Sequence, residues 1–465
     1  MHTRRLKFLC LLLLPALVLA ACTPGGGTPT PTRDPSAPAP SDTPVPTVTP
    51  TTPPAITVDP ASLRGLEIQV WHAFTGESYP VFADQVALFN AVNEWGIQIV
   101  ERGYGDPLTL AEAVEAAVTA GSGPDLVAAP PEQILAWDQA GRAADLNAYA
   151  ADRTWGFTPQ ELEDIPAVFR AQDTIEGRLL GLPAQRSARV LFYNRAWAQE
   201  LGFSAPPATP EEFRQQACAA NASFRADADL QNDGLGGWIV DQHWQTSYSW
   251  LLAFGGGVEE GADYRFRSDQ NLAALQFIKG LYDDNCAWLS LADLPYDDFA
   301  SRQALFISAD LAEIPLVMNA FSRAGNADAW TVLPFPGVDQ DAVVTYGSSY
   351  SLLASAPERG LAAWLFVRWL LSAENQALQV EAGGLLPLRT SLLGMIAPYR
   401  QANPQWQAAV EALPLAAGVP QKASWARVRY LLEDGVAVMF RVDTPVDLIP
   451  GLLAEMDSLA EELDR

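Results

Sequence analysis

The chain has 465 residues, a formal net charge of −26 and only 18% charged side chains, with 49% apolar residues and 14 Trp. That length exceeds one ordinary domain and supplies enough apolar surface for a large core, which speaks against extended disorder beyond one linker. The acidity argues against a nucleic-acid partner or an anionic-lipid surface, since both need Lys and Arg to neutralise phosphate.

Arg4, Arg5 and Lys7 precede an apolar run from Phe8 to Ala20. The run is shorter than the roughly 20 residues of a spanning helix and has the length of a secretory signal core. It ends in Leu19-Ala20-Ala21-Cys22, which resembles a bacterial lipobox and predicts a leader over 1–21 with a lipid on Cys22. Residues 22–58 are dominated by Pro, Thr, Ser, Gly and Ala. Such a composition buries too little to fold and predicts an extended tether. With Cys10 inside the leader and Cys22 lipidated, Cys218 and Cys286 remain, and two thiols in an oxidising compartment are expected to pair.

From there the body alternates strand and helix. Leu66–Trp71 reads as a strand, His72–Glu77 as a loop and Pro80–Val92 as a helix. Ile97–Val100 and the run after Asp125 read as strands, with a helix over Ala111–Ala120 between them. This is the pattern of an α/β lobe with a mostly parallel sheet, whose ligands meet the loops at the C-terminal strand ends. Trp71–Glu77 and the loop after Val127 therefore border a candidate cleft. A second block begins near Leu182, with a strand over Arg189–Tyr193 and a helix from Asn194 stopped at Gly202. Another helix starts at Pro210 behind a Thr209 cap. Helices are also expected at Thr246–Phe254, Asn271–Asp284, Leu361–Leu371, Ala423–Val438 and Val446–Leu463.

In order, Val70-Trp71-His72, Gly121-Ser-Gly-Pro-Asp125, Gly177-Arg-Leu-Leu-Gly-Leu-Pro183, Phe192-Tyr193-Asn194, Pro206–Phe213, Gly255-Gly-Gly, Trp364–Leu370 and Pro420-Gln-Lys-Ala-Ser-Trp425 resemble the landmarks of extracellular solute-binding proteins of the maltose-binding type. The resemblance covers about 64–464. It implies a two-lobe periplasmic-binding-protein-like α/β fold (type II) with a hinge crossed three times, near Gly181–Ser187, Tyr346–Tyr350 and Gly383–Pro387. Lobe one would comprise 61–180 and 350–384, and lobe two 181–349 and 385–465. It implies further a monomeric, extracytoplasmic protein, held to the membrane by its lipid, that delivers a carbohydrate to the permease of an ABC importer. The same fold also serves other solutes such as glycerol phosphate, and receptor-coupled sensing.

A sugar presents apolar faces to aromatic rings and hydroxyls to polar side chains. Candidates are Trp71, Phe74 and Glu77 on the first loop, and Gln185 and Ser187 after the hinge proline. Trp244, Gln245 and Tyr248 open a lobe-two helix, Asp310 follows the strand-like Ala304–Ile307, and Tyr346 lies at the second hinge crossing. Trp425 with Arg427 matches the family's C-terminal stacking position. Ser187 and Asp310-Leu311 depart from the maltose-type pattern, which argues against maltose itself. An enzyme is the rival class, yet no G-x-S-x-G, H-E-x-x-H or P-loop occurs and only three His are present. Asp227–Gly234 lacks calcium-loop spacing, so neither a metal nor a cofactor is expected.

Overall fold

The computed structural model describes residues 56–292, 294–441 and 444–465. The leader, Cys22 and nearly all of the tether lie outside them. The tether ends earlier than its composition suggested. Ile56 donates its N–H to the Asp152 carboxylate at 3.0 Å, and Ile56 and Val58 pack on the main core. These two apolar side chains give the chain something to bury where the Pro/Thr run stops.

Ten strands form one mixed sheet. In chain order they are β1 (Glu67–His72), β2 (Gln98–Gly103), β3 (Leu126–Ala129), β4 (Leu182–Asn194), β5 (Trp238–Ile239), β6 (Ala287–Trp288), β7 (Phe306–Asp310), β8 (Trp330–Leu333), β9 (Val343–Leu352) and β10 (Ala416–Ala417). Their spatial order is β6-β5-β7-β4-β9-β3-β1-β2, with β8 paired to β4 and β10 to β9. At one end β1 lies parallel between β2 and β3, as the alternation of strand and helix requires. The architecture is the two-lobe α/β fold, and two long antiparallel strands run through the middle of its sheet.

Those strands are β4 and β9. The first half of β4 pairs with β9 and its second half with β7 and β8, while the last residues of β9 pair with β3. The ladder between them shifts register at Ser348/Ser349. At Gly347 the backbones approach so closely that a Cβ would sit 2.1 Å from the Gln185 carbonyl oxygen.

A single side chain ties the crossings together. Arg186, on β4, is fully buried and donates to Asp173 at 2.9 Å, to Ser349 Oγ at 2.8 Å and to the carbonyl of Ser348 on β9. Its own carbonyl accepts from Leu386 N–H at 2.8 Å, on the third passage of the chain. Burial pushes the Asp173 carboxyl up, and the Arg186 charge and Ser349 hydroxyl oppose that push. The third passage extends beyond Pro387. Arg389 donates to the Leu371 carbonyl, and Thr390 and Ser391 bond to Asp164 before helix Pro404–Glu411 reaches β8.

Local signals place most helices. Asp106 caps Pro107–Thr119 through Thr109 N–H (2.9 Å), starting that helix four residues before the expected Ala111. Asn194 and Thr209 cap Arg195–Glu200 and Pro210–Arg225. Asp125 is structural: it accepts Gln69 N–H at 2.9 Å and a two-pronged contact from Arg359. The core has three parts, one on each side of the strands and one spanning Trp71, Val127 and Trp137. Cys218 and Cys286 form a disulfide across a separation of 68 residues, joining helix Pro210–Arg225 to the loop before β6.

Removing Arg186 leaves Asp173 buried without a counter-ion. Arg186→Met is expected to cost about 3–5 kcal/mol, read as a lowered urea midpoint at unchanged slope. Adding Asp173→Leu should recover much of that loss.

Candidate functional site

The described residues enclose a cavity of about 270 Å³ where strand ends of β1 and β3 face helices Trp244–Ala253 and Trp425–Val428. Phe74 and Ala128 contribute one wall, Trp244 and Trp425 the other, and Tyr346, Gly347 and Ser348 of β9 form the floor. The cavity thus lies over the two strands that pass between the lobes.

The first wall is set by a buried imidazole. His72 ends β1 and accepts Phe74 N–H on Nδ1 at 3.1 Å, so its Nε2 carries the proton donated to Glu101 at 2.8 Å. Burial lowers the His72 pKa, with Glu101 opposing, which keeps that tautomer neutral. After β3, Pro130 is extended and Pro131 opens helix Pro131–Gln139, placing Glu132 in the first turn at the cavity edge.

The second wall is aromatic. Trp425 meets Trp244 edge-on with centroids 5.5 Å apart, and Tyr248 and Tyr264 back Trp425 at 5.8 and 6.3 Å. Tyr346 packs on Trp244 at 6.0 Å. The Arg429 guanidinium lies 5.5 Å from the Trp244 ring centre and reaches Glu132 on the opposite wall at 2.7 Å. Burial pushes the Glu132 carboxyl up, and Arg429 is the largest opposing influence.

The polar chemistry of this cavity is unfinished. Gln172 Oε1, Gln185 Nε2, Gln245 Oε1, Ser348 Oγ, Trp425 Nε1 and Arg429 Nε belong to residues that line it, and each is buried without a hydrogen-bond partner in the protein. Buried polar groups are almost always paired, and each orphan costs about 1–3 kcal/mol. A larger groove of about 900 Å³, between Trp95, Phe157 and Trp369, contains no such atom. Its Asp164 and Arg389 already bond to Thr390, Ser391 and Leu371. Convergent orphan donors and acceptors beside aromatic rings make the smaller cavity the candidate binding site.

Of the residues nominated from sequence, Phe74, Gln185, Trp244, Gln245, Tyr346 and Trp425 line it together. Trp71 instead packs in the core beside Tyr104, at 5.2 Å between centroids. Glu77 is exposed before helix Ser78–Val92, and Tyr248 stands behind Trp425. Ser187 and Asp310 bond to each other beneath the floor, where Asp310 also accepts the Tyr346 hydroxyl and so fixes that ring. Arg427 turns outward to the Leu463 carbonyl at 2.6 Å. Sequence reasoning passed over Glu132, Gln172 and Arg429. Glu132 opens the helix that directly follows the loop expected at the cleft. Arg429 lies four residues after Trp425 and so on the same helical face, whereas Arg427, two residues on, faces away. Gln172 carried no local signal. Asp227–Gly234 is a polar turn closed by bonds from Asp229 N–H and Asn232 to Asp227, and the described residues hold no metal-binding cluster.

The family model of bacterial extracellular solute-binding proteins matches residues 85–414, most of the chain. The chain belongs to this family. Membership places the solute-binding protein outside the cytoplasm. A probable ABC transporter-binding protein of Deinococcus radiodurans is 27% identical over 162 residues, 30% of this chain and 37% of that relative, so the chain matches little over a third of its length. The sugar-binding protein MalE of Xanthomonas citri is 20% identical with a TM-score of 0.73, covering 85% of this chain and 97% of that one. UgpB of Mycobacterium tuberculosis, solved with glycerophosphocholine, is 18% identical with a TM-score of 0.69, covering 85% and 98%. The cyclic α-maltosyl-1,6-maltose binding protein of Arthrobacter globiformis gives 18%, 0.68, 85% and 98%. These likenesses establish that the solute-binding protein shares their two-lobe fold.

Burial pushes the Asp310 carboxyl up from its usual 3.8 to about 6, the negative charge of Glu313 adds to this, and the Ser187 hydroxyl and Arg189 oppose it. The folded state therefore holds this proton more tightly than the unfolded chain. Its stabilising contribution is complete below about pH 4 and is lost as pH rises through 6. Relative to Asp310→Asn, the parent protein should lose about 2–3 kcal/mol of unfolding free energy between pH 4 and 7. Paired urea titrations across that range measure it.

Proposed function

We propose that the chain captures a carbohydrate in this cavity and hands it to the permease subunits of an ABC importer. The observation that carries the reading is the set of six orphaned polar atoms beside Trp244 and Trp425. Sugar hydroxyls both donate and accept, so one ring can satisfy amide nitrogen, amide oxygen, hydroxyl and indole together, while its C–H faces lie against the indoles. The sugar and maltosyl-maltose binders that share the fold support this choice.

In the proposed arrangement lobe one comprises 61–180 and 350–384, and lobe two 181–349 and 385–465, with Arg389–Ser391 bonded back onto lobe one. Hinge closure buries the ligand, and β4 and β9 flex at Gly347. The protein is a monomer and not an enzyme: its cavity offers hydrogen-bond donors and acceptors with one self-paired acid, and no acid–base pair set across a scissile bond. A diacylglyceryl group on Cys22 and the Pro/Thr segment behind it hold the body at the membrane surface.

A thermal-shift screen of neutral mono- and oligosaccharides should raise the unfolding midpoint, since a ligand at 100 times its Kd adds about 2.7 kcal/mol. No response to any carbohydrate would overturn the sugar assignment, and turnover of one would overturn the binding-only role. Gln245→Leu should behave in two opposite ways. It removes an orphaned buried oxygen, so the ligand-free protein is expected to hold or gain stability, while sugar affinity falls about tenfold. Calorimetric titration and urea unfolding of the same variant separate the two effects.

A further inference from the structure

Glu132 and Arg429 are the only charged side chains among the described residues lining the cavity, and they come from opposite walls to meet at 2.7 Å. Glu132 lies on the Pro131–Gln139 helix and Arg429 follows Trp425, so their contact bridges the cleft. Both are shielded, with side-chain exposures of 4% and 19%. The nearest further guanidinium, Arg186, is held by Asp173 beneath the floor. Every other polar lining group is an amide, hydroxyl or indole.

We propose that this pair is a charge filter that restricts the site to uncharged polyhydroxylated solutes and rejects phosphorylated or carboxylated ones. The inference rests on the carbohydrate reading of the cavity and specifies its ligand class. An anion approaching Arg429 must either lie beside the Glu132 carboxylate on the same guanidinium or displace it into a desolvated cleft without a partner, and both are strongly unfavourable. Glu132 also occupies the N-terminal turn of its own helix, where backbone N–H groups would otherwise welcome an anion. A neutral hydroxyl has no such conflict. It bonds to the free Arg429 Nε and leaves the ion pair intact. The same contact spans both walls, so Glu132 and Arg429 act as positioning residues that hold the cleft shut around a neutral ligand.

The test compares the full-length chain with Glu132→Gln and with Glu132→Gln/Arg429→Gln. Each is titrated with neutral mono- and oligosaccharides and, side by side, with hexose 6-phosphates, hexuronates and glycerol 3-phosphate. The parent is expected to bind neutral sugars at least tenfold more tightly than any anionic counterpart. Glu132→Gln frees one guanidinium, so its preference should shift toward anions by at least tenfold. That gain should fall steeply with added salt, because it is electrostatic. The double variant has no charge to offer and should lose the gain, which controls for a single variant that folds poorly. A parent that binds sugars, with an unchanged neutral-to-anion ratio in Glu132→Gln, overturns the filter and leaves the sugar reading standing. Tighter binding of a phosphorylated solute by the parent overturns the filter as well. A parent that binds no carbohydrate removes the sugar reading, and the filter falls with it.

Discussion

The buried contact between Arg186 and Asp173 is the constraint from which the site geometry follows. A fully buried guanidinium has to find its partners within the protein, and here the two terminal nitrogens donate to Asp173, Ser349 and the carbonyls of Ser348 and Gln185, while Nε has no protein partner. Asp173 precedes β4, Ser348 and Ser349 belong to β9, and the Arg186 carbonyl receives Leu386 N–H. One side chain thereby fixes where three distant stretches of chain pass each other. The cost of leaving any of these groups unpaired in a low-dielectric interior makes the arrangement discrete. The same geometry exposes Gln185 and Ser348, the neighbours of the hub, to the cavity above it.

Around that floor the protein separates two kinds of polar group. Those that shape the site are paired: His72 with Glu101 and Phe74 N–H, Asp310 with Ser187 and Tyr346, Glu132 with Arg429. Those that line it are left open, at a standing cost to the ligand-free state. In the proposed function a polar ligand would recover that cost on binding, giving a small cavity built largely from neutral groups a source of affinity that needs no net charge. The indoles of Trp244 and Trp425 exclude water and strengthen each hydrogen bond made there.

The legible and illegible parts of the site divide along physical lines. Trp244 and Gln245 were readable because aromatic and amide residues stood at a helix start in an α/β pattern, whereas Tyr346 and Trp425 were readable from the family resemblance. Asp310 and Ser187 carried the same kind of polar signal, yet they serve each other beneath the floor. Residue type reports what a side chain can bond to, and pairing is settled by neighbours more than 100 positions away, as with Ser187 and Asp310. Arg427 and Arg429 show the same limit at short range, where two residues of helical phase send one guanidinium to the Leu463 carbonyl and the other into the cleft.

By itself the sequence determined the alternation of strands and helices, several caps, the family to which the chain belongs and the aromatic character of its ligand wall. These depend on periodicity, on turn chemistry and on runs of adjacent residues, all of which are local. Only the tertiary structure decided that β4 and β9 pair through the middle of the sheet, that Arg186 ties Asp173, Ser348, Ser349 and Leu386 together, and that Glu132 answers Arg429 across the cavity. Those features arise from groups brought together by long loop closures. Their energies come from desolvation and pairing in the folded interior, which no single stretch of sequence contains.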